Sequence, residues 1–118
     1  MRHFVRRRNS VLTAYALVMV VATPVSAAPT QSGWSSVTSL SGGWVGAHLR
    51  VVLSGSFHNP SACPYTDGYI VDASLPGAQL LQAILITAYS SGDQVQVIVD
   101  GCAQGRPSVI GVDVRKQL

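Results

Sequence analysis

The 118-residue chain contains no glutamate and a single lysine, Lys116; its five acids are all aspartates, at positions 67, 72, 93, 100 and 113. Retaining and inverting glycosidases both need two carboxyl groups flanking one bond, so such chemistry would require two of these scattered aspartates to meet. Histidine is scarce as well. Apart from His3 there are His48 and His58, and a metal site would need both of them and an aspartate to converge. A Ser-His-Asp set has no Gly-x-Ser-x-Gly elbow to seat its serine. These shortages argue against an enzyme, and no catalytic residue, metal or cofactor is assigned.

Long apolar runs are also few. Met1–Ser10 carries Arg2, Arg6, Arg7 and Arg8, and Val11–Val21 is apolar apart from Thr13 and well short of the ~20 residues a spanning helix needs. Pro24 breaks the run, and Val25-Ser26-Ala27 supplies small residues for cleavage. Residues 1–27 therefore read as a secretory signal peptide and residues 28–118 as one domain, secreted or periplasmic. The whole-chain charge of +3 belongs to the leader: residues 28–118 keep Arg50, Arg106, Arg115 and Lys116 against five aspartates, a net charge of 4 − 5 = −1. That leaves no basic footprint for nucleic acid, no polybasic membrane patch, and no membrane span once the leader is removed.

Only two cysteines are present, Cys63 and Cys102. In an exported chain the even count reads as one disulfide, the single pairing that two cysteines allow. Closing such a loop stabilises by about 3–4 kcal/mol in the chain-entropy model, a large share for so small a domain. A zinc site on this widely spaced pair is the weaker alternative.

Ala28–Ser32 reads as a loose leader, followed by a strand over Gly33–Leu40 and a turn at Ser41-Gly42-Gly43. A second strand is expected over Trp44–Leu53, with Leu49, Val51 and Leu53 on one face and His48, Arg50 and Val52 on the other. Gly46 marks a bulge or bend within it. Ser54–Asp67 is a long loop stiffened by Pro60 and Pro64 and stapled by Cys63. A third strand spans Gly68–Ala73. Ser74 as N-cap and Pro76 in the first turn open a helix over Gly77–Ser91, stopped by Gly92. Leu80, Leu81, Ile84, Leu85 and Ala88 form its expected buried stripe, and Ala83, Ile86 and Ser90 a second, wetter one. A fourth strand over Gln94–Asp100 runs into Gly101-Cys102. After Ala103-Gln104-Gly105 and Arg106-Pro107, a last strand over Ser108–Val114 puts Ile110, Val112 and Val114 on one side.

The chain is thus mainly β with one helix, in the order β-β-β-α-β-β. Five strands with a helix between the third and fourth is the order of an OB-fold-like five-stranded barrel; an open α+β sandwich is the alternative.

Leu80–Gly92, Val95–Val99, Gly101-Cys102, Gly105-Arg106-Pro107 and Ile110-Gly111-Val112 resemble small exported bacterial proteins. These are similar to the OB-fold B subunits of the subtilase-cytotoxin and pertussis-like AB-type toxins. The resemblance covers about the last 40 residues and the element order. It implies an OB-fold, a pentameric ring, glycan binding and a catalytic partner subunit. The toxin subunits are longer and richer in cysteine, and none of their sugar-contacting residues is carried over.

The residues themselves nominate Trp44, His58, Tyr65 and Arg106 as candidate ligand contacts, with Trp34 and Tyr69 as further aromatics able to stack on a sugar; core or hairpin packing is the alternative for each aromatic. For Arg106 the alternatives are an anion or glycan contact and a structural role, as a salt bridge to Asp100 or a donor to loop carbonyls. Asp72 and Asp100 read as solvated strand ends. Ala83, Ile86 and Ser90 are the candidate homo-oligomer interface. The expected function is a binding module with a glycan or protein ligand. The alternative is a structural or inhibitory envelope protein acting through protein contacts.

Overall fold

The computed structural model describes residues 11–20, 28–43 and 45–117. The charged leader, the cleavage site and Trp44 lie outside the described residues; residues 11–20 are exposed and form neither helix nor strand.

The elements are β1 (Thr30–Gln31), β2 (Ser35–Gly42), β3 (Leu49–Leu53), β4 (Tyr69–Val71), α1 (Ala78–Ser91), β5 (Gln94–Ala103) and β6 (Arg106–Arg115). They form a six-stranded mixed sheet in the order β1-β5-β2-β3-β4-β6, and β5 also pairs with β6, so the ladders β5–β2–β3–β4–β6–β5 close a ring. All pairings are antiparallel except β4 with β6, which meet in parallel at Ile70 and Ser108.

The five expected strands become six because the leader is not loose. Thr30 and Gln31 pair with Val99 and Ile98. Ser32, buried, continues the contact: its N–H donates to the Val97 carbonyl at 2.9 Å, and its Oγ accepts from the Val97 N–H at 3.1 Å. A hydroxyl here does the work of a strand carbonyl, which hydrophobic periodicity cannot reveal.

The second strand begins at Leu49 rather than Trp44. The β2–β3 ladder ends at the Gly42–Leu49 pair, and residues 45–47 form bends. Gly42, Gly43 and Gly46 supply no side chains to hold a ladder together, so this stretch is a hairpin loop. The last hairpin is longer than expected: β5 runs through Cys102 to Ala103 and β6 starts at Arg106. Only Gln104 and Gly105 turn the chain, both at positive φ (50° and 75°), as the primed hairpin turns require. A β-bulge opposite Ile98 and Val99 takes Ile110 out of register with Val112 and Val114. Ile110 is exposed, and Val109 is the buried residue instead.

The helix buries Ala78, Leu81, Leu85 and Ala88 against Val37, Val51, Tyr69, Val71, Val95, Val97, Val99 and Val109. Leu80 is 66% exposed, contrary to expectation. It lies about 100° around the helix from Leu81, on the side away from the sheet. Ile84 is only half-buried. Ser74 does not cap the helix, whose N-cap is Gly77, with no side-chain cap bond from any described residue. Ser74 instead gives both its N–H and its Oγ to Asp72 Oδ1 at 3.0 Å, an Asx-type turn. Asp72 is therefore a turn-forming acceptor and not simply solvated. Gly92 ends the helix as expected, left-handed, with its N–H on the Ala88 carbonyl at 2.9 Å.

Candidate functional site

On the face of β3 opposite Leu49, Val51 and Leu53, the cross-strand register sets out a row. Ser41 of β2 pairs with Arg50 of β3, Arg50 with Ile70 of β4, and Ile70 with Ser108 of β6. Paired residues share a face, and Arg106, two residues before Ser108, joins them. Ser41, Arg50, Ile70 and Arg106 of this row form one wall of a cavity of about 320 Å³; Gly42, Gly43, Val45 and Gly46 of the hairpin loop and Gln104 at the hairpin tip form the others. The loop is tied down from the helix by Gln82 Nε2, which donates to the Ala47 carbonyl at 2.6 Å. His48, which also lines the cavity, accepts the Ala73 N–H on Nδ1 at 3.2 Å and stands 3.6 Å from Asp72.

Asp67 is the hub beside this cavity. Arg106 Nε and Nη2 donate to Asp67 Oδ1 and Oδ2 at 2.5 and 2.9 Å, and Arg50 Nη1 donates to Oδ2 at 2.8 Å. Hydrogen bonding from the Arg106 guanidinium, with the positive charge of both arginines, holds the Asp67 carboxyl down to about 2 from an ordinary 3.8. The same bond raises Arg106 above its usual value. The salt bridge expected for Arg106 exists, but its partner is Asp67, 39 residues away, and not Asp100.

The Cys63–Cys102 disulfide joins the long loop to the end of β5, with Cα atoms 5.8 Å apart. Asn59 clamps Cys63 through its N–H and its carbonyl, at 2.8 and 2.9 Å. Two residues on, the Tyr65 N–H donates to the Gly105 carbonyl at 2.9 Å. The Tyr65 ring lies so close to Gly105 that a Cβ there would sit 2.4 Å from it. With φ at 75° as well, only glycine fits that position. The other neighbour of the ring is the Arg106 guanidinium, 5.1 Å from its centroid. Staple, ring and ion pair together fix the loop's return beside the cavity.

Of the four candidate contacts, only Arg106 lines the cavity among the described residues; Tyr65 packs against its guanidinium without lining it. His58 does not line the cavity. Its Nε2 lies 2.7 Å from Thr30 Oγ1, and its N–H donates to Tyr69 Oη at 2.7 Å, so it fastens the loop to β1 and the core. Tyr69 is buried, 5.0 Å from the Phe57 ring, and has no face free for a sugar. Burial raises its phenol above the ordinary value. Trp34 has one face taken by the Arg115 guanidinium, 4.4 Å from its centroid. Sequence reasoning missed Arg50, Ser41, His48 and Asp67 as a cluster. The alternation of β3 did place His48 and Arg50 together on the outer face, and that was the available signal.

The interface candidates Ala83, Ile86 and Ser90 are all exposed. Throughout α1 there is no charged residue. The hydroxyls of Thr87, Ser90 and Ser91 turn back onto the carbonyls of Ala83, Ile86 and Thr87, at 2.8, 3.0 and 2.9 Å. The outer face of the helix therefore presents mostly apolar surface, with Leu80 and Ile86 uncovered. Among the described residues, no helix is long and apolar enough to cross a membrane, and no three His, Cys, Asp or Glu converge as metal ligands.

In comparison with known proteins, the chain matches no family model, no curated protein and no solved structure.

Proposed function

We propose that this chain is an exported, non-enzymatic binding module of OB-fold type, and that its ligand enters the cavity between the Gly42–Gly46 loop and the Gln104-Gly105 hairpin tip. The observation that carries the reading is the cavity itself: a concave space of about 320 Å³ on the outer sheet face, lined by glycine backbone, Ile70 and convergent polar groups from Ser41, His48, Arg50 and Arg106. The ring of ladders β2-β3-β4-β6-β5, with the helix between β4 and β5, the third and fourth of these strands in chain order, supports the OB-type assignment. The disulfide and the leader pattern support export to a secreted or periplasmic location.

The resemblance to toxin B subunits extends the proposal to a glycan ligand, a homo-oligomer meeting through Ala83, Ile86 and Ser90, and a catalytic partner subunit. The test is binding to a panel of immobilised glycans by the wild type and by Gly46→Trp. Gly46 lines the cavity, and a Cβ on it meets only the His48 ring, at 3.5 Å, so a large side chain is accommodated at the cavity wall without a backbone clash. Retained glycans that G46W no longer binds support the reading; equal binding by both proteins removes it.

A second reading, an envelope protein acting through protein contacts, is favoured by the charge-free outer face of α1. Under that reading G46W is silent, and charged substitutions on the helix abolish partner binding.

A further inference from the structure

Residues 28–118 carry four cations, and two of them, Arg50 and Arg106, line one cavity. The other two are engaged elsewhere: Arg115 with Trp34 and Gln94, Lys116 with Asp93. Two guanidiniums sharing the Asp67 carboxylate leave one positive charge in excess within this trio, on a segment whose net charge is −1; a further carboxylate, Asp72, stands 3.6 Å from His48. That concentration marks the cavity as a place for a negative group.

The two arginines are not equivalent. Arg106 has every side-chain nitrogen engaged: Nε and Nη2 on Asp67, and Nη1 on the Gln104 carbonyl at 3.1 Å. Arg50 donates from Nε to Ser41 Oγ at 2.9 Å and from Nη1 to Asp67 Oδ2 at 2.8 Å. Among the described residues nothing accepts from its Nη2. Its plane is thus fixed at two points, from β2 and from the long loop, before any ligand arrives. A fork so held loses little freedom on binding.

We infer that Arg50 is the ligand-contacting cation of this cavity, taking one oxyanion group (carboxylate, sulfate or phosphate) on Nη2, while Asp67 and Ser41 orient it and Arg106 serves as a structural post. This rests on the cavity being the ligand site. It adds the charge of the ligand and the residue that reads it.

The experiment is a titration of the purified disulfide-bonded protein, following the arginine Nε–H and backbone amide resonances. The probes are glucuronate, glucose 6-sulfate, inorganic phosphate and glucose. The Arg50 Nε–H signal is expected to move saturably with the anions and not with glucose, and less as salt is raised. Tighter binding of the anionic sugars identifies a glycan source, and tighter binding of phosphate a free anion. Arg50→Gln is expected to weaken binding at least about tenfold, about 1.4 kcal/mol, at a melting temperature no lower than that of Asp67→Asn, which keeps Arg50. A stationary Arg50 signal with every anion, or wild-type affinity in R50Q, overturns the assignment. The wild-type titration decides the matter even if R50Q fails to fold. Movement of the Gly42, Gly43 and Gly46 amides with glucose alone overturns the anion assignment but leaves the cavity as a ligand site. If no cavity amide moves with glycans retained from the panel, the cavity reading fails as well.

Discussion

Arg106 grips Asp67 through both Nε and Nη2, across 39 residues of chain, while Asp67 also accepts from Arg50. One carboxylate thus ties the return of the long loop to β3 and β6 at the edge of the cavity.

Its pH dependence follows from the depressed carboxyl. Asp67 is held near 2 in the folded protein, against an ordinary 3.8, chiefly by hydrogen bonding from Arg106. A depressed folded value means the unfolded chain binds the proton first, so this contribution is fully present above about pH 4 and is lost as pH falls through 2. The side chain is 48% exposed, and solvent screening keeps the contribution small. Asp67→Asn should therefore melt slightly below wild type at pH 7, with the gap closing towards pH 2. Thermal denaturation of both proteins across that range checks this; a constant gap would contradict it.

The disulfide closes a sequence separation of 39 residues and anchors the segment that carries Tyr65 and Asp67. Cys102→Ser should cost about 2–5 kcal/mol of stability. It should also speed amide exchange over residues 54–67 more than in β5 or α1. Alkylation of the unreduced wild type should find no free thiol.

On the helix, Leu85 is fully buried while Ile84 is half-buried beside Ala83, Thr87 and Val114. Leu85→Ala should cost about 2–5 kcal/mol, and Ile84→Ala distinctly less. Denaturant midpoints at equal slope compare the two. Equal costs would mean that Ile84 is covered in solution by something other than this chain.

The assembly proposal makes a separable prediction. Ile86 is 50% exposed on a helix without charge. If copies meet there, Ile86→Lys buries an unpaired ammonium at the contact and should dissociate the oligomer while leaving the fold intact. Native mass of wild type and variant decides it: a wild-type monomer at micromolar concentration would end the homo-oligomer proposal.

The order of the main elements was legible in the sequence because each rests on a local signal: alternation in β3 and β5, the helical spacing of Leu81, Leu85 and Ala88 in α1, and Gly92 at its end; the same spacing misplaced Leu80 and did not single out Ala78. The Cys63–Cys102 bond followed from compartment and count. What stayed hidden depends on partners distant in sequence. β1 is held by Ser32 and by pairing to β5, neither of which has a hydrophobic period. The bulge at Ile110 breaks the alternation that put it on one side with Val112 and Val114. The cavity is assembled from four strands through cross-strand register, so Ser41, Arg50, Ile70 and Arg106 carry no common motif. Asp100 looked like the partner of Arg106 because it is near in sequence, whereas the staple at Cys63 brings Asp67 instead.

The central claim, that the cavity beside Arg50 is the working surface, is tested most directly by the hydrogen-exchange footprint of the bound ligand. The wild-type protein is saturated with a glycan retained from the panel, and amide exchange is compared with that of the free protein. Protection confined to residues 41–50 and 104–106 is the predicted result. Protection along the outer face of α1, over residues 79–90, with the cavity unchanged, would contradict the account and favour action through protein contacts.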